Sequence, residues 1–142
     1  MPLVRISLLR GRGEGFGRKV GGVVYRAMRE TLNVPDKDNF QLLSEHAPES
    51  LVYDPSYLDI ERSDGFIAIQ ITLNEGRSIE MKKGFYRRVA EDLRRELDVR
   101  PQDVFINLIE VKKENWSFGN GIAQYASGHA PRKRHPCSEA GR

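Results

Sequence analysis

Apolar and polar positions alternate over residues 3–9, with Val4, Ile6 and Leu8 on one side and Arg5 and Ser7 on the other. A period of two predicts a β-strand. Gly11 and Gly13 break it. From 14 to 32 the period lengthens. Phe16, Val20, Val23, Val24, Ala27, Met28 and Leu32 recur at steps of three and four, which is one face of a helix. Val34-Pro35-Asp36 ends that helix, since proline disfavours helical geometry in the residue before it. Phe40 to Ser44 reads as a second strand. Residues 46–64 read as a long excursion with a short extended piece near Leu51–Tyr53. The strongest strand is 65–73, where Ile67, Ile69, Ile71 and Leu73 share a face and Phe66, Ala68, Gln70 and Thr72 form the other; two largely apolar faces predict a central position. Asn74-Glu75-Gly76 is a turn. Ser78 then caps a helix striped by Met81, Phe85, Val89, Leu93 and Leu97. Residues 103–111 form a last strand, followed by WSFGNG at 116–121 and a small amphipathic piece ending near Gly128.

The order is β-α-β, a connection, then β-α-β, and the two halves resemble one another. A shift of 65 residues aligns positions 3–45 with the second half without a gap and yields 12 identities in 43 positions. Average residue usage gives about three by chance. Gly11-Arg12 falls on Gly76-Arg77, Leu32-x-Val34 on Leu97-x-Val99, and Asp38 on Asp103. The pattern predicts an α/β (α+β) fold: duplicated β-α-β units forming a four-stranded sheet with two helices on one face. The other face has no helix to cover its apolar residues, which predicts association through the sheet.

Composition narrows the classes. The chain has 142 residues, 39% hydrophobic and 30% charged, enough for one well-formed core. The formal charge of +3 suggests a nucleic-acid binder until it is located. Arg132, Lys133, Arg134 and Arg142 against Glu139 account for all of it, and residues 1–129 balance to zero. We therefore expect a domain over 1–129 and a basic, disordered tail over 130–142, with no nucleic-acid partner. No apolar run approaches the ~20 residues that span a bilayer, and Arg5 and Arg10 interrupt any signal peptide. The single cysteine, Cys137, allows no internal disulfide and fits a reducing, cytoplasmic setting.

Several residues can carry chemistry. Met1 before a small residue is commonly removed, which would leave Pro2 with a free secondary amine able to act as base, acid or nucleophile. Arg77 follows the 65–73 strand at a strand-to-helix turn, where a guanidinium can hold a carboxylate with two parallel hydrogen bonds. Asp38 reads equally as a turn residue, Asp103 as a structural one, and Trp116 and Phe118 as packing. Gly11-x-Gly13-x-Gly15 lacks the spacing of a dinucleotide fingerprint. Arg87, Arg88, Arg94 and Arg95 interleave with Glu91, Asp92 and Glu96 as a solvated face, and His46 reads as structural. His129, His135 and Cys137 lie on or beside the tail and form no convincing metal set.

MPLVRISLL, the duplication, VPDKDNFQ, EGRSIEMK and ENWSFGNG together resemble the tautomerase superfamily, and within it the malonate semialdehyde decarboxylases and their bacterial relatives. The resemblance covers residues 2–128. It implies a cofactor-independent enzyme that uses an N-terminal proline on small oxo acids and assembles as a homotrimer. Pro2 would be the catalytic amine, Asp38 the carboxylate that orients it or a water, and Arg77 the grip on the substrate carboxylate. Trp116, Phe118 and Tyr125 would form an apolar wall near the proline. The sequence departs from the best-known decarboxylase at Asn74, where a second arginine is usual, at Tyr125, where a phenylalanine is usual, and at Ala130, which replaces a larger apolar residue. The implied activity is decarboxylation of a 3-oxo acid with accompanying tautomerase activity. The alternatives are a plain 2-oxo acid keto–enol tautomerase and a non-catalytic binding module of the same fold.

Overall fold

In a computed structural model the first strand, β1, runs over Pro2–Leu9, and its burial alternates as the sequence does: Val4, Ile6 and Leu8 are buried and Arg5 is exposed. The structure describes residues 1–126, so the basic tail and His129, His135 and Cys137 lie outside the described residues. Helix α1 (Phe16–Thr31) turns Val20, Val23, Val24, Ala27 and Met28 onto the sheet. Strand β2 (Phe40–His46) follows, then β3 (Ile67–Asn74), α2 (Ile79–Leu97) and β4 (Val104–Val111). Ser78 caps α2, its side chain accepting from the Met81 N–H at 3.2 Å, so the predicted start of that helix is correct.

The sheet order is β2-β1-β3-β4, with β2 parallel and β3 antiparallel to β1. The two helices pack on one face over Val4, Ile6, Leu8, Ile69, Ile71 and Leu73, and Phe85, Val89 and Leu93 of α2 are fully buried there. The β-α-β duplication is thus present in three dimensions. The core positions of β3 are those of β1 shifted by 65, and antiparallel pairing of the two central strands is what a two-fold relation between units requires.

The far face is more mixed than its apolar count suggested. Phe40, Leu42, Phe105 and Ile109 are exposed at 40–50%, but Arg5, Gln70 and Asn107 lie among them, and Gln70 donates to Asn107 Oδ1 at 3.0 Å. The 46–64 excursion contains 3-10 turns at Pro48–Ser50 and Tyr57–Asp59, and Leu51, where the expected extended piece begins, has extended backbone. Arg62 shapes it by donating to the carbonyls of Asp54, Tyr57 and Ile60. Tyr53 stacks on Phe66 at 5.2 Å, and a concavity of about 510 Å³ opens there between the excursion and the far face. Contacts divide the chain into two units, Met1–Glu110 and the segment from Val111 onward. In the second, residues 124–126 form a turn, and the end of the small amphipathic piece expected near Gly128 lies outside the described residues.

Candidate active site

Strand register explains why residues far apart in sequence share one end of the sheet. Leu3 pairs with Phe40 in the parallel β1–β2 ladder, so Asp38, two residues before Phe40, arrives beside the chain start. Pro2 pairs with Leu73 in the antiparallel β1–β3 ladder, so the turn after β3 delivers Asn74 and Arg77 to the same end. Gly76 in that turn has φ +113°, a geometry that side chains strongly disfavour, and its duplicate Gly11 has φ +106°.

The Met1 amine stands 3.6 Å from Asp38 Oδ2. The Asp38 side chain is only 12% exposed, and its Oδ1 is buried with no hydrogen-bond partner. Burial pushes the Asp38 carboxyl above the usual range. The N-terminal amine, by charge and by hydrogen bond, and then the charge of Arg77 pull against that shift. Pro2 itself is buried. Arg77 is half-buried and its orientation is set by backbone. Its Nε donates to the Leu32 carbonyl at 2.9 Å, at the end of α1, and one terminal nitrogen donates to the Asn74 carbonyl at 3.0 Å. Asn74 is 8% exposed and frames the guanidinium with its main-chain carbonyl. One end of the sheet therefore holds an amine, a desolvated carboxylate and a fixed guanidinium, a set that can bind a small carboxylate and move a proton.

The remaining predicted residues lie in the second unit. Trp116 and Phe118 stack at 5.8 Å, and Tyr125 meets Phe118 edge-on at 5.0 Å. Gln124 fastens the loop, accepting from the Phe118 N–H and donating to the Gly119 carbonyl, each at 3.0 Å. The three aromatics form one cluster.

The duplicate of the site has different neighbours. Asp103, the counterpart of Asp38, is 1% exposed and accepts from the Ser63 N–H at 2.7 Å and the Ser63 hydroxyl at 2.6 Å. Arg12, the counterpart of Arg77, lies over the Phe16 ring at 5.0 Å. A side chain at Gly65 would collide with both Arg12 and Asp103. Here the chain runs on through Phe66 and Ile67, and Ser63 occupies Asp103, the counterpart of the carboxylate that Met1 approaches. Asp103 is structural, as expected. The sequence reading missed Ser63 and also Tyr25, whose hydroxyl touches the turn before Asp38; a tyrosine whose duplicate is Ala90 was the available signal.

The duplicated β-α-β sheet with both helices on one face defines the class of fold, an α/β (α+β) domain whose chain start lies beside a buried carboxylate. Residues 38–119 match the model of a family described as Tautomerase enzyme. A probable tautomerase of Bacillus subtilis (strain 168), YusQ, is 44% identical over 124 residues, 87% of this chain and 98% of its own. The crystal structure of FG41 malonate semialdehyde decarboxylase inhibited by 3-bromopropiolate superposes with a TM-score of 0.84 at 33% identity, covering 91% of this chain and 98% of that one. A fused 4-OT symmetric trimer shares the fold, with a TM-score of 0.70 at 17% identity over 88% and 98% of the two chains. The chain belongs to the tautomerase family, in the branch that resembles malonate semialdehyde decarboxylase.

Proposed function

We propose that this protein acts on small oxo acids with the α-nitrogen of Pro2, freed by removal of Met1, and that it decarboxylates a 3-oxo acid. The observation that carries this reading is the Asp38 carboxylate, desolvated and with one oxygen unpartnered, at the chain start: it lies 3.6 Å from the amine of Met1, the residue whose removal would expose Pro2. A carboxylate close to the Pro2 amine would favour its cationic form. A cationic Pro2 polarises a β-carbonyl, or condenses with it to an iminium once deprotonated, and the electron pair released as CO2 departs is held as an enol or enamine. Arg77 holds the substrate carboxylate and Asn74 frames it. Asp38 keeps the amine oriented or activates water. Chain association through the far face into a homotrimer is part of the same reading, supported by Phe40, Leu42, Phe105 and Ile109 and by the trimeric fused 4-OT. The second reading is keto–enol tautomerisation of a 2-oxo acid by a neutral Pro2. It is favoured by Asn74, which leaves one fewer cation at the carboxylate, and by the name of the Bacillus relative.

Incubation with malonate semialdehyde and with phenylenolpyruvate, each followed by NMR, separates the two. Decarboxylation with a Pro2 pKa above 7 by nitrogen-15 NMR supports the first reading. Ketonisation alone with a pKa below 7 supports the second. Intact mass that retains Met1 rejects both, as does normal turnover by Pro2→Ala.

A further inference from the structure

We propose that Tyr25 is a positioning residue for this site: its hydroxyl holds Lys37 in a left-handed turn and thereby sets the Asp38 carboxylate beside the N-terminal amine. The inference rests on the role given to Asp38 above and adds the element that keeps it in place.

Asp38 closes a four-residue turn, its N–H donating to the Pro35 carbonyl at 3.3 Å. The third residue of that turn, Lys37, has φ +66°. Glycine or asparagine is usual there, because a side chain in left-handed geometry costs about 1 kcal/mol or more. The Tyr25 hydroxyl accepts from the Lys37 N–H at 3.0 Å and donates to Asp36 Oδ1 at 3.3 Å, so one phenol ties two consecutive turn residues. The ring that carries it cannot drift. It packs against the core from α1, and the Arg29 guanidinium covers it at 5.8 Å while also reaching Asp36 at 3.8 Å. The next residue along the chain is Asp38.

The duplication supplies a control. Tyr25 corresponds to Ala90 and Lys37 to Gln102. In the second half Gln102 has no positive φ; Pro101–Asp103 is a 3-10 turn, and Ser63 fastens Asp103 instead. Among the described residues, the phenol and the left-handed turn residue occur together only in the half that carries the amine.

The test is steady-state kinetics with phenylenolpyruvate as probe on wild type, Tyr25→Phe, Lys37→Gly, Asp38→Asn and the doubles Tyr25→Phe/Lys37→Gly and Tyr25→Phe/Asp38→Asn, with Tm measured for each. Tyr25→Phe should fold, lower kcat by about tenfold and leave KM within about twofold, since a displaced carboxylate acts on the chemistry rather than on the Arg77 grip. Lys37→Gly alone should match wild type. In the double it should restore most of the lost kcat, because glycine takes the left-handed turn without a strut. On the residual activity of Asp38→Asn, Tyr25→Phe should have no further effect. Wild-type kcat in Tyr25→Phe with a crippled Asp38→Asn overturns this inference and leaves the Asp38 reading intact. A loss that glycine fails to restore, or that adds to Asp38→Asn, assigns Tyr25 to packing and also overturns it. Full activity in Asp38→Asn removes the Asp38 role, and this inference with it.

Discussion

Gly76 and Gly11 permit a paired experiment in which one half of the molecule serves as reference for the other. Gly76 precedes Arg77 with φ +113°, and Gly11 precedes Arg12 with φ +106°. No atom lies within 4 Å of a Cβ built at either position, so alanine meets no clash and its cost is purely that of the backbone. Holding a side-chain-bearing residue in that region costs about 2 kcal/mol. For a chain of 142 residues that is a fall in Tm of roughly 5–10 °C. Gly76→Ala and Gly11→Ala should therefore destabilise alike in thermal unfolding, compared at one protein concentration because association contributes. Their effects on turnover should separate. Relaxation at Gly76 swings the Arg77 guanidinium off the Leu32 and Asn74 carbonyls and raises KM, whereas relaxation at Gly11 moves Arg12, which touches no part of the site. Equal losses of kcat/KM would refute the reasoning, as would two variants with unchanged Tm.

Other outcomes follow from the same contacts. Arg77→Ala should cost about 1.5–3 kcal/mol of substrate binding, read as a tenfold to hundredfold fall in kcat/KM carried mainly by KM. Asp38→Asn should lower turnover yet raise Tm at pH 7. Burial raises the Asp38 carboxyl above its unfolded value, so its ionisation penalises the fold; the Tm advantage should shrink as pH falls through the folded pKa and wild-type Asp38 takes up its proton. A constant advantage down to pH 3 in thermal scans would contradict this. Asp103→Asn should do the opposite, losing about 1–3 kcal/mol in denaturant unfolding through its Ser63 hydrogen bonds while keeping kcat.

Much of this architecture was legible in the pattern of side chains. Val4, Ile6 and Leu8 announce a half-buried strand, and the 65-residue echo predicts the second unit and its central strand, because apolar periodicity is imposed by the same sheet face twice. The candidate site residues are named in the sequence only through the resemblance that segments such as MPLVRISLL and EGRSIEMK carry; the structure brings Asp38, Asn74 and Arg77 to one end of the sheet. The supports of that site were not legible. The carbonyls of Leu32 and Asn74 that fix Arg77 are main-chain atoms and leave no mark in a sequence. Tyr25 packs like any residue at the edge of an apolar stripe, and its function lies in a hydroxyl aimed at a turn 12 residues away. The 3-10 turns of the 46–64 excursion were not legible, because its shape depends on Arg62 collecting three nearby carbonyls, an arrangement that apolar periodicity does not encode.

The covalent continuity of the chain through Phe66 and Ile67 has a consequence for stoichiometry. Two units of one ancestry stand side by side, each with its aspartate and its arginine, but a polypeptide has a single beginning. A reagent that modifies a reactive N-terminal amine would therefore be consumed at one equivalent per chain, half the number of structural repeats. The pseudo-equivalent position, built around Asp103, has no amine, and there the aspartate and a serine from the excursion form a fastening.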